Sequence, residues 1–312
     1  MKIHVAAAAI LDESGRVLIS QRAKNTHQGG LWEFPGGKLE AGETAEAALS
    51  RELEEELGIL PLATEPLIRI RHDYVDRHVV LDFYRVTAYR GEPKGLEGQP
   101  LQWLSPADMQ PEDFPAADRP VISALKLPQQ YMITGRDAER PGPFLSRLSL
   151  AIERGIQLVQ LRAHQLSDSA YRQLLADVLP LCRASGVNLL INRPQGVLAW
   201  HSEADGLHLT ATQLVSLSQR PAGAKLIGAS CHQLEEVKLA ERAGLDYVLL
   251  SPVQRTTTHP QAVSLGWPRF AELVDQVNLP VYALGGLSAD DLPKAILSGA
   301  QGIAAISAFW PD

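Results

Sequence analysis

The sequence predicts an α/β protein of two domains, the first built of strand hairpins around one acidic helix, the second a (β/α)8 barrel lacking most of its last helix. Three observations carry this reading. A chain of 312 residues is longer than a typical single domain. Residues 36–59, GGKLEAGETAEAALSRELEEELGI, hold an amphipathic helix whose acids crowd its apolar stripe. After residue 130, eight short apolar runs recur, with helical or partly helical segments in seven intervals. The boundaries expected are 1–127 for the first domain, a short connector at 128–130, and 131–312 for the barrel.

In chain order, residues 4–11 and 17–20 form a hairpin around the turn Asp12–Arg16. A polar loop, Gln21–Gly30, leads to Leu31–Gly37, where glycines allow backbone carbonyls to approach a ligand closely. Beyond the acidic helix, strands at Leu67–Tyr74 and His78–Tyr89 pair through a turn at Asp76 and Arg77. A Gly/Pro-rich loop (Gly91–Pro100), a strand (Leu101–Leu104) and a helix near Arg119–Leu125 complete the domain.

Thr44 is the expected N-cap of the acidic helix and Gly58 its terminator, with Ala45, Leu49, Leu53 and Leu57 as the apolar ladder. With Leu49 at zero and about 100° per residue, the ladder spans roughly −40° to +80°, and Glu52, Glu55 and Glu56 fall near roughly −60°, −120° and −20°. Only Arg51 points to the far side. A solvated charge run would sit opposite the buried stripe. Carboxylates overlapping it repel one another and resist desolvation, which calls for a compensating charge. Hard divalent cations, Mg²⁺ or Mn²⁺, suit oxygen ligands.

The spacing G-x5-E-x7-R-E-U-x-E-E-x-G-U, with U bulky and apolar, is met by Gly37, Glu43, Arg51, Glu52, Leu53, Glu55, Glu56, Gly58 and Ile59. This is the box of the Nudix hydrolases. Further segments, EFPGGKLE, DRH at Asp76–His78, GLEGQP at Gly95–Pro100 and DFPAADRPVI at Asp113–Ile122, resemble Nudix hydrolases of the MutT, 8-oxo-dGTP diphosphatase, type. The resemblance implies an α/β/α sandwich with a mixed sheet. It implies metal ligation by Glu52, Glu55, Glu56, Glu97 and the Gly36 backbone, and nucleotide contacts from Arg22, Arg77, Phe34 and Asp118. Gly37, Glu43 and Arg51 take structural roles, with Arg51 bracing Glu43. Metal-assisted substitution by water at the β-phosphorus would give nucleoside monophosphate and pyrophosphate. Glu52 is the first choice of general base and Glu97 its rival, and Glu55 completes the catalytic carboxylates. One position departs: Asp118 stands where the family has an asparagine reading the guanine edge. An ionised Asp only accepts hydrogen bonds, whereas a protonated one also donates.

The eight apolar runs are Tyr131–Gly135, Leu158–Ala163, Asn188–Arg193, Gly206–Thr210, Lys225–Cys231, Tyr247–Pro252, Pro280–Gly286 and Gly302–Ser307. Segments QLRAHQLS, LLINR, ADGLHLT, IGASCH, YVLLSPVQRTTTHP, ALGGLS and GIAAIS resemble the thiamine phosphate synthase/TenI family of TIM barrels. Gly285, Gly286, Ser307 and Ala308 match a phosphate cradle after strands seven and eight, with a plain tight turn at the glycines as the alternative. Ser230, Thr256 and Thr258 are the remaining phosphate contacts. His232 is either a TenI-like acid–base residue or structural. The family's two metal-binding acids are replaced by Arg193 and Gln213, and two of its lysines by His164 and His259, so the synthase chemistry is expected to be lost.

Net charge is −7, with 14 Lys and Arg against 20 Asp and Glu in residues 1–127. An acidic first domain argues against a nucleic-acid polymer as partner, and no run of 18 apolar residues suggests a membrane span. The N-terminal MKIHVAAAAIL reads as a strand, not a signal peptide. Cys182 and Cys231 fit reduced cytoplasmic thiols. The expected function is Mg²⁺-dependent hydrolysis of a nucleoside triphosphate, 8-oxo-dGTP, in nucleotide-pool sanitising that protects DNA replication, beside a degenerate barrel. Two alternatives stand. One is a bifunctional thiamine-pathway protein, its barrel binding a thiazole phosphate-like ligand and its Nudix domain clearing thiamine-related diphosphates. In the other the barrel only binds or dimerises, with a homodimer left open.

Overall fold

The computed structural model describes residues 2–24, 28–73, 78–193, 196–200, 202–221, 223–256, 261 and 263–311. Arg77, Thr258 and His259, and the turn at Asp76, lie outside the described residues. The chain divides into two compact units, Met1–Lys126 and Leu127–Asp312.

The first unit runs β1 (Lys2–Leu11), β2 (Val17–Gln21), β3 (Trp32–Glu33), β4 (Gly36–Lys38), α1 (Ala45–Leu57), β5 (Leu60–Asp73), β6 (His78–Arg90), β7 (Leu101–Leu104) and α2 (Arg119–Lys126). Its sheet is mixed, in the order β3-β2-β1-β6-β5, with β4 also on β1 and β7 also on β2. β1 pairs β6 in parallel and the other pairs are antiparallel. The run of alanines in β1 follows from burial on both faces. Ala6, Ala8 and Ile10 face a core that includes Leu49, Leu53 and Leu57 of α1, while Ala7 and Ala9 face one that includes Val121, Ile122 and Ala124 of α2.

Helix α1 is capped as expected: Thr44 Oγ1 accepts from the Ala47 N–H, and Gly58 takes the left-handed conformation, φ 68°. Three details differ from the expectation. Ala48, and not Ala45, is fully buried in the stripe. β3 and β4 are strands within what reads as a loop. β5 begins at Leu60, because 60–66 pair with β6 through irregular register between Pro61 and Ile68.

The second unit is a closed barrel of β8 (Gln130–Ile133), β9 (Leu158–Arg162), β10 (Asn188–Asn192), β11 (Gly206–Leu209), β12 (Leu226–Cys231), β13 (Tyr247–Leu250), β14 (Val281–Leu284) and β15 (Gly302–Ala305), all neighbours parallel. Helices α3 (Pro141–Glu153), α4 (Asp168–Ala184), α5 (Ala211–Val215), α6 (Leu234–Arg242), α7 (Gly266–Val274) and α8 (Leu292–Leu297) lie between strands, and a single 3-10 turn, Val197–Trp200, joins β10 to β11. Where a last helix would follow β15 there is a short turn, and Trp310 packs on Phe144, ring centroids 4.8 Å apart. Leu127 belongs to the barrel's inner cluster with Tyr131, Tyr247 and Tyr282, so the barrel's packing starts before β8. No helix among the described residues is long and apolar enough to cross a membrane.

Candidate active site

In the first unit the site is built where β4 meets α1. A Cβ on Gly37 would overlap the Glu52 carboxyl, and one on Gly36 (φ 145°) would overlap the Ala6 carbonyl. Both glycines are therefore the means by which the acidic helix approaches the sheet. The Gly36 N–H donates to a Glu56 carboxylate oxygen at 3.2 Å. Arg51 does not point away from the acids. Its guanidinium donates to Glu43 twice at 3.0 Å, to Glu52 at 2.8 Å, to Glu55 at 3.3 Å and to the Lys38 carbonyl at 3.0 Å. A long flexible stem lets one cation fold back into the carboxylates that attract it. Glu43 also accepts from the Glu40 N–H, and these bonds, Arg51's above all, hold its carboxyl below the usual range.

The loop carrying Glu97 is pinned to the end of α1. The Leu96 N–H and the Gln99 side chain both donate to the Glu56 carbonyl, and the Lys94 N–H to that of Leu57. Carbonyls left over at the helix end thus position the loop. Glu56 is pushed up to about 7, by burial and then by the charges of Glu33, Glu52 and Glu97, against the hydrogen bond from Gly36. Four carboxylates therefore act on one another in one neighbourhood. Glu55 is not on the buried arc: its side chain is 60% exposed. Among the described residues no three acidic, histidine or cysteine side chains are gathered closely enough to cage a cation alone. The donor chemistry, hard oxygens with excess negative charge, nonetheless suits a divalent cation that shares its coordination with water and phosphate.

Beside this lies a cavity of ≈ 370 Å³ whose lining includes Val5, Ala7, Phe34, Leu81, Arg22, Glu33 and Asp118, reaching Gly36 and Gly37. Phe34 is fixed by stacking on Phe114 (centroids 5.6 Å) and edge contact with Phe83 (5.7 Å). Arg22 forms an ion pair with Glu33. Asp118, in the turn before α2, is only 6% exposed and is pushed up to about 7, chiefly by burial, then by Glu33, with Arg22 acting the other way. Glu33 is the residue that sequence reasoning passed over. Its charge reaches Asp118 at one end and Glu56 at the other. An acid between two aromatics, with an arginine nearby, was the available signal.

In the barrel, Ser230 and His232 stand at the C-terminal end of β12, Gly285 and Gly286 follow β14, and Ser307 and Ala308 open the turn after β15. Both glycines have positive φ, 105° and 69°, and a Cβ would meet Pro252 at the first and the Arg255 carbonyl at the second. Thr256 lies next to Gly285, its methyl 3.3 Å from where a Cβ would be. The His232 Nδ1 is 2.9 Å from the Ser251 carbonyl, so Nδ1 carries a proton and donates it to that oxygen.

The positions that would hold a synthase metal do not fit one. The buried Arg193 pairs with Asp168 at 2.5 Å, donates to the Leu166 carbonyl and lies over the Tyr171 ring. Gln213 donates to the Arg193 carbonyl at 2.8 Å while closing the N-terminal box of α5 with Thr210. His164 is tied to Asn192 at 2.6 Å and held below its usual range by burial. A buried chain unseen in the sequence, Gln160, Tyr131, Tyr247, His208 and Ser230, runs through the barrel interior with steps of 2.9 to 3.0 Å. Burial pushes His208 down to about 3, keeping it neutral. Cys182 and Cys231 are buried and free, and burial raises both thiols.

Comparison with known proteins agrees with both halves. The NUDIX domain model matches residues 6–124 and the thiamine monophosphate synthase model residues 130–309. The 8-oxo-dGTP diphosphatase of Escherichia coli is 42% identical over 125 residues, 40% of this chain and 97% of that one. The CTP pyrophosphohydrolase of the same organism is 36% identical over 125 residues, 40% of this chain and 93% of that one. The putative thiamine-phosphate synthase 2 of Aquifex aeolicus is 37% identical over 186 residues, 59% of this chain and 99% of that one. The chain thus belongs to two families at once, the Nudix hydrolases through its first unit and the thiamine monophosphate synthases through its barrel.

Proposed function

We propose that the first unit hydrolyses a nucleoside triphosphate to its monophosphate and pyrophosphate, with 8-oxo-dGTP as substrate, and that it does so in the cytoplasm. The observation that carries this is a cavity lined by Phe34 and Asp118 that reaches Gly36 and Gly37, the two residues of β4 against which Glu56 and Glu52 of α1 are seated. Glu52, Glu55, Glu56, Glu97 and the Gly36 carbonyl would hold Mg²⁺ or Mn²⁺. When bound, the cation supplies neutralisation of phosphate charge.

The chain's own residues do the rest. Phe34 offers a flat apolar wall to the base, and Asp118 meets its polar edge. Arg22, held by Glu33, and Arg77 contact the nucleotide. Arg51 fixes Glu52 against the Gly37 strand, so that the Glu52 carboxylate is positioned to take the proton of the attacking water, with Glu97 on the pinned loop as its rival. In the barrel, Gly285, Gly286, Ser307, Ala308, Ser230, Thr256 and Thr258 would contact a phosphate, with His232 as the acid–base group. Arg193 and Gln213 remove the metal-dependent diphosphate step. Incubation with 8-oxo-dGTP and Mg²⁺ in ¹⁸O-water tests the first assignment: label in pyrophosphate supports attack at the β-phosphorus, and release of orthophosphate or no turnover refutes it.

A further inference from the structure

Asp118 and Glu33 are a carboxyl pair whose roles are set by which of them Arg22 joins. Arg22 forms its ion pair with Glu33, and among the described residues no cation lies within ion-pair distance of Asp118. The elements packed against the Asp118 turn direct their charges elsewhere. On β5, Glu65 pairs with Arg85 and Arg69 with Asp82. Glu112 and Asp113 are exposed, and the adjacent Arg119 donates to the Pro111 carbonyl. Lys38 lines the cavity from β4, at the Gly36–Gly37 end. What remains is an acid that lines the cavity with Phe34, Pro115 and Ala117 and has as its neighbour Glu33, a carboxyl itself pushed up by burial and by the charge of Glu97 while Arg22 favours its ionised form. Burial beside a like charge favours the neutral form, and it outweighs the opposing pull of Arg22, which is engaged by Glu33.

We propose that Asp118 reads the base as a neutral carboxylic acid, donating its O–H to a ring carbonyl while its C=O accepts the adjacent ring N–H, and that Glu33 is the positioning residue that keeps it so. This rests on the nucleotide reading above and deepens it. The ligand class is a base with a lactam edge, –C(=O)–N(H)–, which a carboxylic acid matches with two antiparallel hydrogen bonds. The ionised form matches a different edge. It accepts from two donors side by side, as in the N1–H and N2–H of guanine, and repels a carbonyl. Base choice in this chain is therefore a function of pH, which an asparagine at the same place would not give.

The nucleotides dGTP and dITP separate the two forms. Both carry the lactam edge, and only guanine has the second donor. With the full-length protein and Mg²⁺, the ratio of kcat/KM for dITP to that for dGTP is expected near one at pH 5.5. It should fall by about tenfold as pH rises through about 7, because one hydrogen bond to a charged group is lost. Taking the ratio cancels the pH dependence of the chemical step common to both. Asp118→Asn, which keeps one donor and one acceptor, should give a flat ratio. Glu33→Gln removes the like charge and releases Arg22, so the midpoint should move to lower pH. A flat ratio in the unaltered protein, a pH-dependent ratio in Asp118→Asn, or an unmoved midpoint in Glu33→Gln would overturn the proposal while leaving the hydrolase reading intact. Failure to hydrolyse these two nucleotides while 8-oxo-dGTP is turned over would overturn the proposal alone, and failure on all three would sink both together.

Discussion

The α1 carboxylates and the mouth of the barrel differ in how their charges are met. At α1, the charges of Glu33, Glu52 and Glu97 all bear on the buried Glu56, while Arg51 is shared among Glu43, Glu52 and Glu55 and Arg22 is taken by Glu33. In the barrel, the terminal nitrogens of Arg193 and the Gln213 side chain are engaged by Asp168, the Leu166 carbonyl and each other's loop, with only the buried Arg193 Nε left without a hydrogen bond. Crowded carboxylates with a raised buried member suit a ligand of opposite charge, whereas side chains engaged with neighbouring backbone and acids suit a structural role.

The sharpest way to break this contrast is to neutralise one carboxylate. Glu52→Gln should lower kcat by about 10²–10⁴-fold in steady-state hydrolysis, as expected for loss of a proton acceptor, with the circular dichroism spectrum unchanged. Next, Gly37→Ala should push the Glu52 carboxyl from its seat, and with it activity, by about tenfold or more, since the reacting groups tolerate little misplacement. On the barrel side, Arg193→Met should destabilise the protein by about 1–3 kcal/mol in urea unfolding, because it leaves carbonyls without their donor. It should leave nucleotide hydrolysis unchanged, and a metal requirement altered by this variant would contradict the structural role assigned to Arg193.

Smaller and informative about sign is the pH dependence of stability. Glu56 and Asp118 are both raised to about 7 in the folded state. Groups with raised folded pKa values contribute stability that is whole below their unfolded values and is lost as pH rises through the folded ones. Without divalent cations, the thermal midpoint of the first unit's transition should therefore fall between pH 5 and pH 8. Mg²⁺ should stabilise more at pH 8 than at pH 5, since the cation competes with the proton for Glu56. A midpoint that rises across this range would contradict the account.

How much of this was legible in the sequence depended on whether the signal was local. The cap at Thr44, the stop at Gly58 and the box spacing all act within one helix, and α1 was read within a residue. The eight barrel strands were likewise visible, because each is a short apolar run bounded by polar turns. β4 was not, since Gly36 and Gly37 carry no strand propensity and are held by pairing with Ala6 and Ala7. The first part of β5 hid behind Pro61 and Pro66, where bulged pairing breaks the alternation. Helical angles alone could not show that Arg51 folds back onto the acids or that Glu55 is exposed. The importance of Glu33, and the tyrosine–histidine chain inside the barrel, arise from contacts between distant segments that spacing cannot encode.

Steady-state hydrolysis of 8-oxo-dGTP, dGTP, CTP and thiamine diphosphate by the full-length protein with Mg²⁺, alongside Glu56→Gln, decides which half of the chain sets the substrate. A kcat/KM advantage for 8-oxo-dGTP of about a hundredfold, some 2.7 kcal/mol, abolished by Glu56→Gln, is the predicted result. Preference for thiamine diphosphate, or turnover untouched by the substitution, would contradict it and return the barrel to the centre of this protein's chemistry.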